Sequence, residues 1–258
     1  ALSEPQAGSD AAAMRTRAVL RGDRWVIDGA KQWITSGDVA GVLVVWARTE
    51  PPEGGGGGVT AFLVEQGTPG LQVGRHEDKL GIRASSTVAL SLDGCEVPDS
   101  ARLGDVGQGL RVAFAALDGG RIGIASQATV TIRSARDASV RYARDRQAFG
   151  GPIAGHRAVA FMLADMAVEH DTARLLALRT AALKEAGRPF TREASMAKLW
   201  ASEAAQRAVG RAVQIHGGVG YTEDFPVARY FRDARVQTIY EGTSEIQRLV
   251  IARELLND

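Results

Sequence analysis

Short apolar runs broken by turn signals give way, near residue 104, to long stretches in which apolar residues recur every three or four positions. No single kind of element satisfies both patterns, so the chain reads as two consecutive parts. In the first, residues 24–27 precede Asp28-Gly29, 59–64 precede Gly67 to Gly70, and 87–92 precede Asp93-Gly94, with a further run at 42–46. Runs rich in Val, Trp and Thr, bounded by Gly, Pro and Asp, predict β-strands joined by hairpins and loops. The glycine run 54–58 has neither a following Lys-Ser/Thr nor a helix start, so it reads as a hairpin tip or surface loop, not a phosphate loop.

The second part predicts helices over 110–146, over 153–186 up to Gly187-Arg188-Pro189, and over 191–216 with Thr191 as N-cap and Gly217-Gly218 as the stop. A last helix runs from about Thr243 to the end. Long helices joined by short breaks form an up-and-down bundle. The expected fold class is α+β: a β-barrel-like domain over 1–103, then a helical bundle over 104–258. The alanines at 194, 197, 201, 204, 205, 208 and 212 predict close packing, either within one tight bundle or, as the preferred reading, at a buried subunit interface.

Charge and cysteine usage narrow the function. A net charge of +1 offers no basic field for nucleic acid or an anionic membrane, and no apolar run approaches the length that spans a bilayer. Cys95 is the only cysteine, so an intrachain disulfide is impossible and a reducing, cytoplasmic compartment (the mitochondrial matrix in a eukaryote) is expected. The four histidines are scattered, which argues against a metal site. Gly217-Gly218-Val219-Gly220 follows a helix instead of opening one, so it fails as a dinucleotide fingerprint.

What remains are turns that combine glycine, arginine and acid. In Tyr240-Glu241-Gly242-Thr243 a carboxylate precedes a helix start; burial would raise its pKa and make it a base near neutrality, whereas exposure would leave it a helix-dipole cap. Asp118 and Arg121 share a helical face and read first as an ion pair. Arg146, at a helix end, suits either a phosphate or the helix carbonyls. Trp33-Ile34-Thr35 offers an aromatic face and a hydroxyl beside a flexible turn.

The order of these segments is more telling than any one of them. Ser3-Glu4-Pro5 with Ala7-Gly8-Ser9-Asp10, Trp33-Ile34-Thr35, Lys79 to Arg83 with Ser85-Ser86-Thr87, Leu117-Asp118 with Arg121, Arg146 with Phe149-Gly150, Gln214-Ile215-His216-Gly217-Gly218 with Gly220-Tyr221, and Arg232-Asp233-Ala234-Arg235 with Ile239 to Thr243 and Ile246-Gln247-Arg248 together resemble the acyl-CoA dehydrogenase family, in that family's order and across the whole chain. Residues 117–127 and the C-terminal segment are most similar to its short-chain members.

The resemblance implies FAD, bound in the family between the β domain and the bundle. It implies flavin contacts from Leu2, Ser3, Ser9, Trp33, Ile34, Thr35, Thr243, Ser244 and Glu245. Arg146, with Gln214, Ile215, His216, Gly217 and Gly218, would reach the FAD of a neighbouring subunit in a homo-oligomer, a dimer of dimers. Ser9, Asp118, Arg121 and Gly242 would contact the acyl-CoA, and Glu241 would be the base that takes its α-proton while a hydride passes to flavin N5, giving a trans-2-enoyl-CoA. Electrons would then pass to an electron-transfer flavoprotein.

Two features depart from the family pattern. Its usual Gln beyond the Arg146 motif is Arg157 here, at one FAD contact. The chain also opens at Ala1 inside a turn-rich segment, without the family's N-terminal helical domain, which is expected from the parent polypeptide or a partner chain. Rival readings are a noncatalytic FAD-binding partner subunit and a flavin oxidase or monooxygenase of the same superfamily.

Overall fold

The computed structural model describes residues 1–50 and 58–257, and these form two compact units. One comprises Ala1–Lys79 and Arg83–Ala116, the other Leu80–Ile82 and Leu117–Asp258. All of the run 54–58 except Gly58 lies outside the described residues.

The first unit is built on β1 (Arg17–Arg21), β2 (Arg24–Thr35), β3 (Val42–Thr49), β4 (Gly58–Glu65), β5 (Leu71–His76), β6 (Thr87–Pro98) and β7 (Arg102–Leu103). They form one sheet in the order β5-β6-β2-β1-β3-β4-β7, antiparallel throughout except for the parallel β1–β3 pair. Trp25, Ile27, Val45, Phe62, Val64, Val88 and Leu90 fill the core, and Trp25 and Phe62 meet at 5.3 Å between ring centroids. Neither β1 nor β5 stood out in the sequence. Most of their residues are exposed, so neither needs an apolar run.

A buried ion pair sets the entry to this unit. Lys31 on β2 donates to Glu4 Oε1 at 2.8 Å and to the Leu2 carbonyl at 3.2 Å, while the N–H groups of Arg15 and Thr16 donate to the Glu4 carboxylate at 2.6 and 3.0 Å. Burial pushes Glu4 upward, but these donors outweigh it and hold the carboxyl at about 2. The first residues are thereby fastened to β2.

The second unit contains most of α1 (Gly109–Asp145), then α2 (Arg157–Glu185), α3 (Thr191–His216), α4 (Pro226–Ala234) and α5 (Ser244–Leu256). The first turns of α1 belong to the β unit, where Ala113 packs with Met14, Trp46, Val59 and Ala61. Leu80–Ile82 belongs to the helical unit, and the Ile82 N–H donates to Asp233 at 2.6 Å. The short helix α4, opened by Pro226, was not read from the sequence. Phe190 occupies the N-cap of α3 without a side-chain cap; Thr191 is instead the first helical residue, and its hydroxyl donates to Asp118 at 2.6 Å.

Alanine dominates the bundle core. Ala194, Ala197, Ala201, Ala204, Ala205, Ala208 and Ala212 are all 0% exposed within the single chain, so the expectation of a subunit interface on this face is corrected: the bundle itself covers it. Small side chains let α3 lie close to α2, α4 and α5, and that proximity brings residues from several helices to one turn.

The Glu4 carboxyl lies below its unfolded value of 4.5, so its stabilising contribution is complete above that pH and is lost as pH falls towards about 2. Glu4→Gln should destabilise the protein by about 3–5 kcal/mol at neutral pH, because it strands a buried ammonium, and should flatten this acid dependence. Urea unfolding midpoints at a series of pH values test it; parallel acid losses in both proteins would show that the pair is not the acid-sensitive element.

Candidate active site

After α4 and a 3-10 turn at Arg235–Thr238, the chain makes a tight turn into α5, whose N-cap Thr243 accepts from the Ile246 N–H at 3.3 Å. Glu241 has φ of 53° and Gly242 φ of 84°. The left-handed region costs a non-glycine residue roughly 1–2 kcal/mol, so the turn needs support from outside itself. Gln247 donates through Nε2 to the carbonyls of Glu241 at 3.0 Å and Gly242 at 2.9 Å, and Lys198 on α3 donates to the Gly242 carbonyl at 2.6 Å. Both side chains are fully buried.

The turn aims the Glu241 carboxylate at α1. A Cβ built on Gly120 would fall 2.7 Å from Glu241 Oε2 and 3.0 Å from its Cδ, so only glycine leaves the space. Oε2 is buried without a hydrogen-bond partner among the described residues. Burial pushes the Glu241 carboxyl above its ordinary range, and Arg121 and Lys198 pull against that rise. Arg121 donates to Asp118 at 2.6 Å and to Ser195 at 3.2 Å, so the expected Asp118–Arg121 pair forms, with its guanidinium largely buried. The neighbouring phenol of Tyr240 is pushed up to about 12, chiefly by burial, and its hydroxyl donates to Gln127. A desolvated carboxylate with a free lone pair, beside two cations, is equipped to accept a proton.

Other expected site residues fall into separate groups. In the helical unit a cleft of about 630 Å³ is lined by Arg141, Tyr142, Asp145, Arg146, His216 and Phe225 among others, which brings Arg146 and the end of α3 together. His216 itself is buried and stacks on Tyr142 at 4.3 Å, and Ile215 is a core residue. Gln214, Gly217 and Gly218 are exposed at the end of α3, and Arg157 opens α2 without lining the cleft. Ser244 is buried with its hydroxyl unpartnered; Glu245 is exposed. In the β unit the Leu2 and Ser3 carbonyls are tied to Lys31 and to the Gln32 N–H, close in sequence to Trp33, Ile34 and Thr35. Trp33 is exposed in a left-handed conformation (φ 63°), Ile34 is buried, and Ser9 sits in an exposed turn.

These features fit FAD. Neither Arg141 nor Arg146 makes an ion pair among the described residues, which leaves two guanidiniums at the cleft for an anionic pyrophosphate. The unpartnered Ser244 hydroxyl offers a donor where a flavin contact is expected. No cluster of three or more His, Cys, Asp or Glu residues suited to a metal occurs among the described residues, nor is any of their helices long and apolar enough to cross a membrane.

Lys198 and Gln247, central to this geometry, were not singled out from the sequence as candidates. A signal existed for Lys198: it interrupts the alanine face of α3 at a position where that face is buried. Gln247 was legible only as part of the Ile246-Gln247-Arg248 segment that resembles the family, since glutamine by itself is ordinary on a helix.

The family described as acyl-CoA dehydrogenase, middle domain, matches residues 1–95, and that described as acyl-CoA dehydrogenase, C-terminal domain, matches residues 107–256. The chain is 52% identical over 256 residues to the mitochondrial short-chain specific acyl-CoA dehydrogenase of Rattus norvegicus, covering 99% of this chain and 62% of that protein. Among solved structures, butyryl-CoA dehydrogenase from Megasphaera elsdenii matches with a TM-score of 0.95 and 42% identity, over 99% of this chain and 67% of that one. A structure described as the electron transferring flavoprotein of Acidaminococcus fermentans matches with a TM-score of 0.95 and 44% identity, over 100% and 67%. The chain thus spans less than two thirds of the rat relative's length. With both domain families matched in order and the fold shared across almost every residue, the chain belongs to the acyl-CoA dehydrogenase family.

Proposed function

We propose that the chain carries the catalytic base and FAD-binding segments of an enzyme that converts an acyl-CoA thioester to its trans-2-enoyl-CoA. The observation that carries this reading is the Glu241 carboxylate: buried, one oxygen unpartnered, and held on a strained turn by buried donors from two helices. A surface helix cap would need none of this support.

Glu241 takes the α-proton as the α-carbon C–H bond breaks, and its electron pair becomes the new double bond while the β-carbon loses a hydride. FAD, when bound, supplies the acceptor for that hydride at flavin N5, which is the cofactor's own chemistry. Among the described residues nothing accepts from the Glu241 N–H, so that donor is free to polarise the thioester carbonyl and acidify the α-proton. Gly242 provides backbone contact to the substrate, and Asp118 and Arg121 bound its path along α1. Thr243, Ser244 and Glu245 at the start of α5 contact the flavin, and Arg146 with the end of α3 reaches the pyrophosphate of a neighbouring subunit's FAD. A stripe of exposed Phe161, Val168 and Leu175, one every seven residues along α2, supports self-association. Likeness to the Acidaminococcus structure supports an electron-transfer flavoprotein as electron acceptor.

The reading is tested by anaerobic bleaching of bound flavin with a saturated acyl-CoA. Glu241→Gln should retain FAD and lose at least the ~10²–10⁴-fold typical of a missing general base; near-normal bleaching would dismiss the assignment. Gly120→Ala should fold normally, since alanine favours a helix interior by roughly 0.5–1 kcal/mol. Its Cβ would nonetheless displace the carboxylate, and the rate should fall about tenfold or more. An unchanged rate would mean that the carboxylate is not used where it lies. Arg146→Ala should weaken FAD retention on dialysis by removing a charge-assisted phosphate contact; retention equal to wild type would remove Arg146 from the cofactor site.

A further inference from the structure

Lys198 is buried in α3, where the other buried positions from Ala194 to Ala208 are alanine or serine. Its one hydrogen bond among the described residues is to the Gly242 carbonyl, at 2.6 Å. Gln247 already donates to that oxygen at 2.9 Å. A neutral amide therefore meets the carbonyl's need, and burying an ammonium to do it again carries a desolvation penalty. What the ammonium adds is charge.

The charged groups around Glu241 leave that charge uncompensated. On α1, Arg121 is paired with Asp118 at 2.6 Å. Glu203, on α3 with Lys198, is paired with Arg248 at 2.6 Å. On α5, Glu245 is exposed, and Arg253 is paired with Glu254 at 3.1 Å. The Tyr240 phenol stays neutral at physiological pH. No carboxylate lies within ion-pair distance of Lys198 among the described residues, yet Glu241 is the group that most favours its charged form.

We propose that Lys198 is a positioning residue for Glu241: it pins the Gly242 carbonyl, and it adds to the Asp118-paired Arg121 a second positive charge, itself without an ion-pair partner among the described residues, that favours the ionised carboxylate. The proposal rests on the reading of Glu241 as base. Burial lowers the Lys198 ammonium to about 8, so this support is withdrawn just above neutrality.

The experiment uses the full-length, flavin-loaded protein. The Glu241 carboxyl is titrated by infrared difference spectroscopy, with Glu241→Gln subtracted to assign its band, and flavin reduction by a saturated acyl-CoA is followed over the same pH range. Removing a nearby opposite charge raises a carboxyl pKa, so Lys198→Gln should move the titration midpoint and the acidic limb of the rate profile upward by about one pH unit or more. Lys198→Arg should restore most of that shift. Gln247→Met, which loosens the turn without changing charge, should slow the reaction and leave the midpoint within a few tenths of wild type. In the wild type itself, the carboxyl band should change a second time near pH 8, as Lys198 loses its proton. An unmoved midpoint in Lys198→Gln, or an equal shift in Gln247→Met, would overturn the proposal. If Lys198→Gln does not fold, Lys198→Met takes its place, and an unmoved midpoint there overturns the proposal. Failure of the base reading looks different: Glu241→Gln would reduce its flavin normally, while the infrared midpoints still report whether Lys198 acts on the carboxyl.

Discussion

Two consecutive left-handed residues, Glu241 and Gly242, stand in the helical unit only because buried donors from α3 and α5 hold their carbonyls. Glycine adopts such a conformation freely, glutamate does not, and the difference must be met by interactions the turn cannot supply itself. Lys198 and Gln247 meet it while fully shielded from water, where a hydrogen bond is strong and a missing partner costly. The same shielding acts on the carboxylate the turn presents. Support for the backbone and perturbation of the side chain thus arise from one act of burial.

That burial depends on close approach between helices. Half of the buried residues of α3 are alanine, and their methyl groups let neighbouring helices come near enough for Lys198 to reach a carbonyl just before α5. Gly120 extends the principle to α1, where the absent side chain leaves room for the Glu241 carboxylate. Larger residues would keep a hydrophobic core but hold the helices apart. Small residues here make a polar site possible inside an apolar bundle.

The β unit solves a comparable problem with similar means. Lys31 and Glu4 form an ion pair out of contact with water, and the pair's remaining capacity is taken up by the Leu2 carbonyl and by the N–H groups of Arg15 and Thr16. A buried pair of this kind does more to specify one arrangement of an irregular segment than to add net stability. The Trp33 turn, also left-handed, follows directly along β2.

Local pattern was enough to read much of this. The change of period near residue 104 separates strands from helices, glycine marks the end of α3, and Glu241 beside a helix start was legible as a candidate base. Those features are set by neighbours in the chain: periodicity decides which face is apolar, and a glycine or a capping hydroxyl acts within a few residues. Weakly apolar elements such as β1, β5 and α4 escaped because burial of so few side chains leaves little trace in composition. Tertiary structure alone decided that the alanine face of α3 is covered by its own bundle, that Thr191 serves Asp118 instead of capping its helix, and that Lys198 reaches from α3 to hold the Gly242 carbonyl. The partners in those contacts lie as many as 73 residues apart, and no local propensity encodes a distance that only the packed helices define.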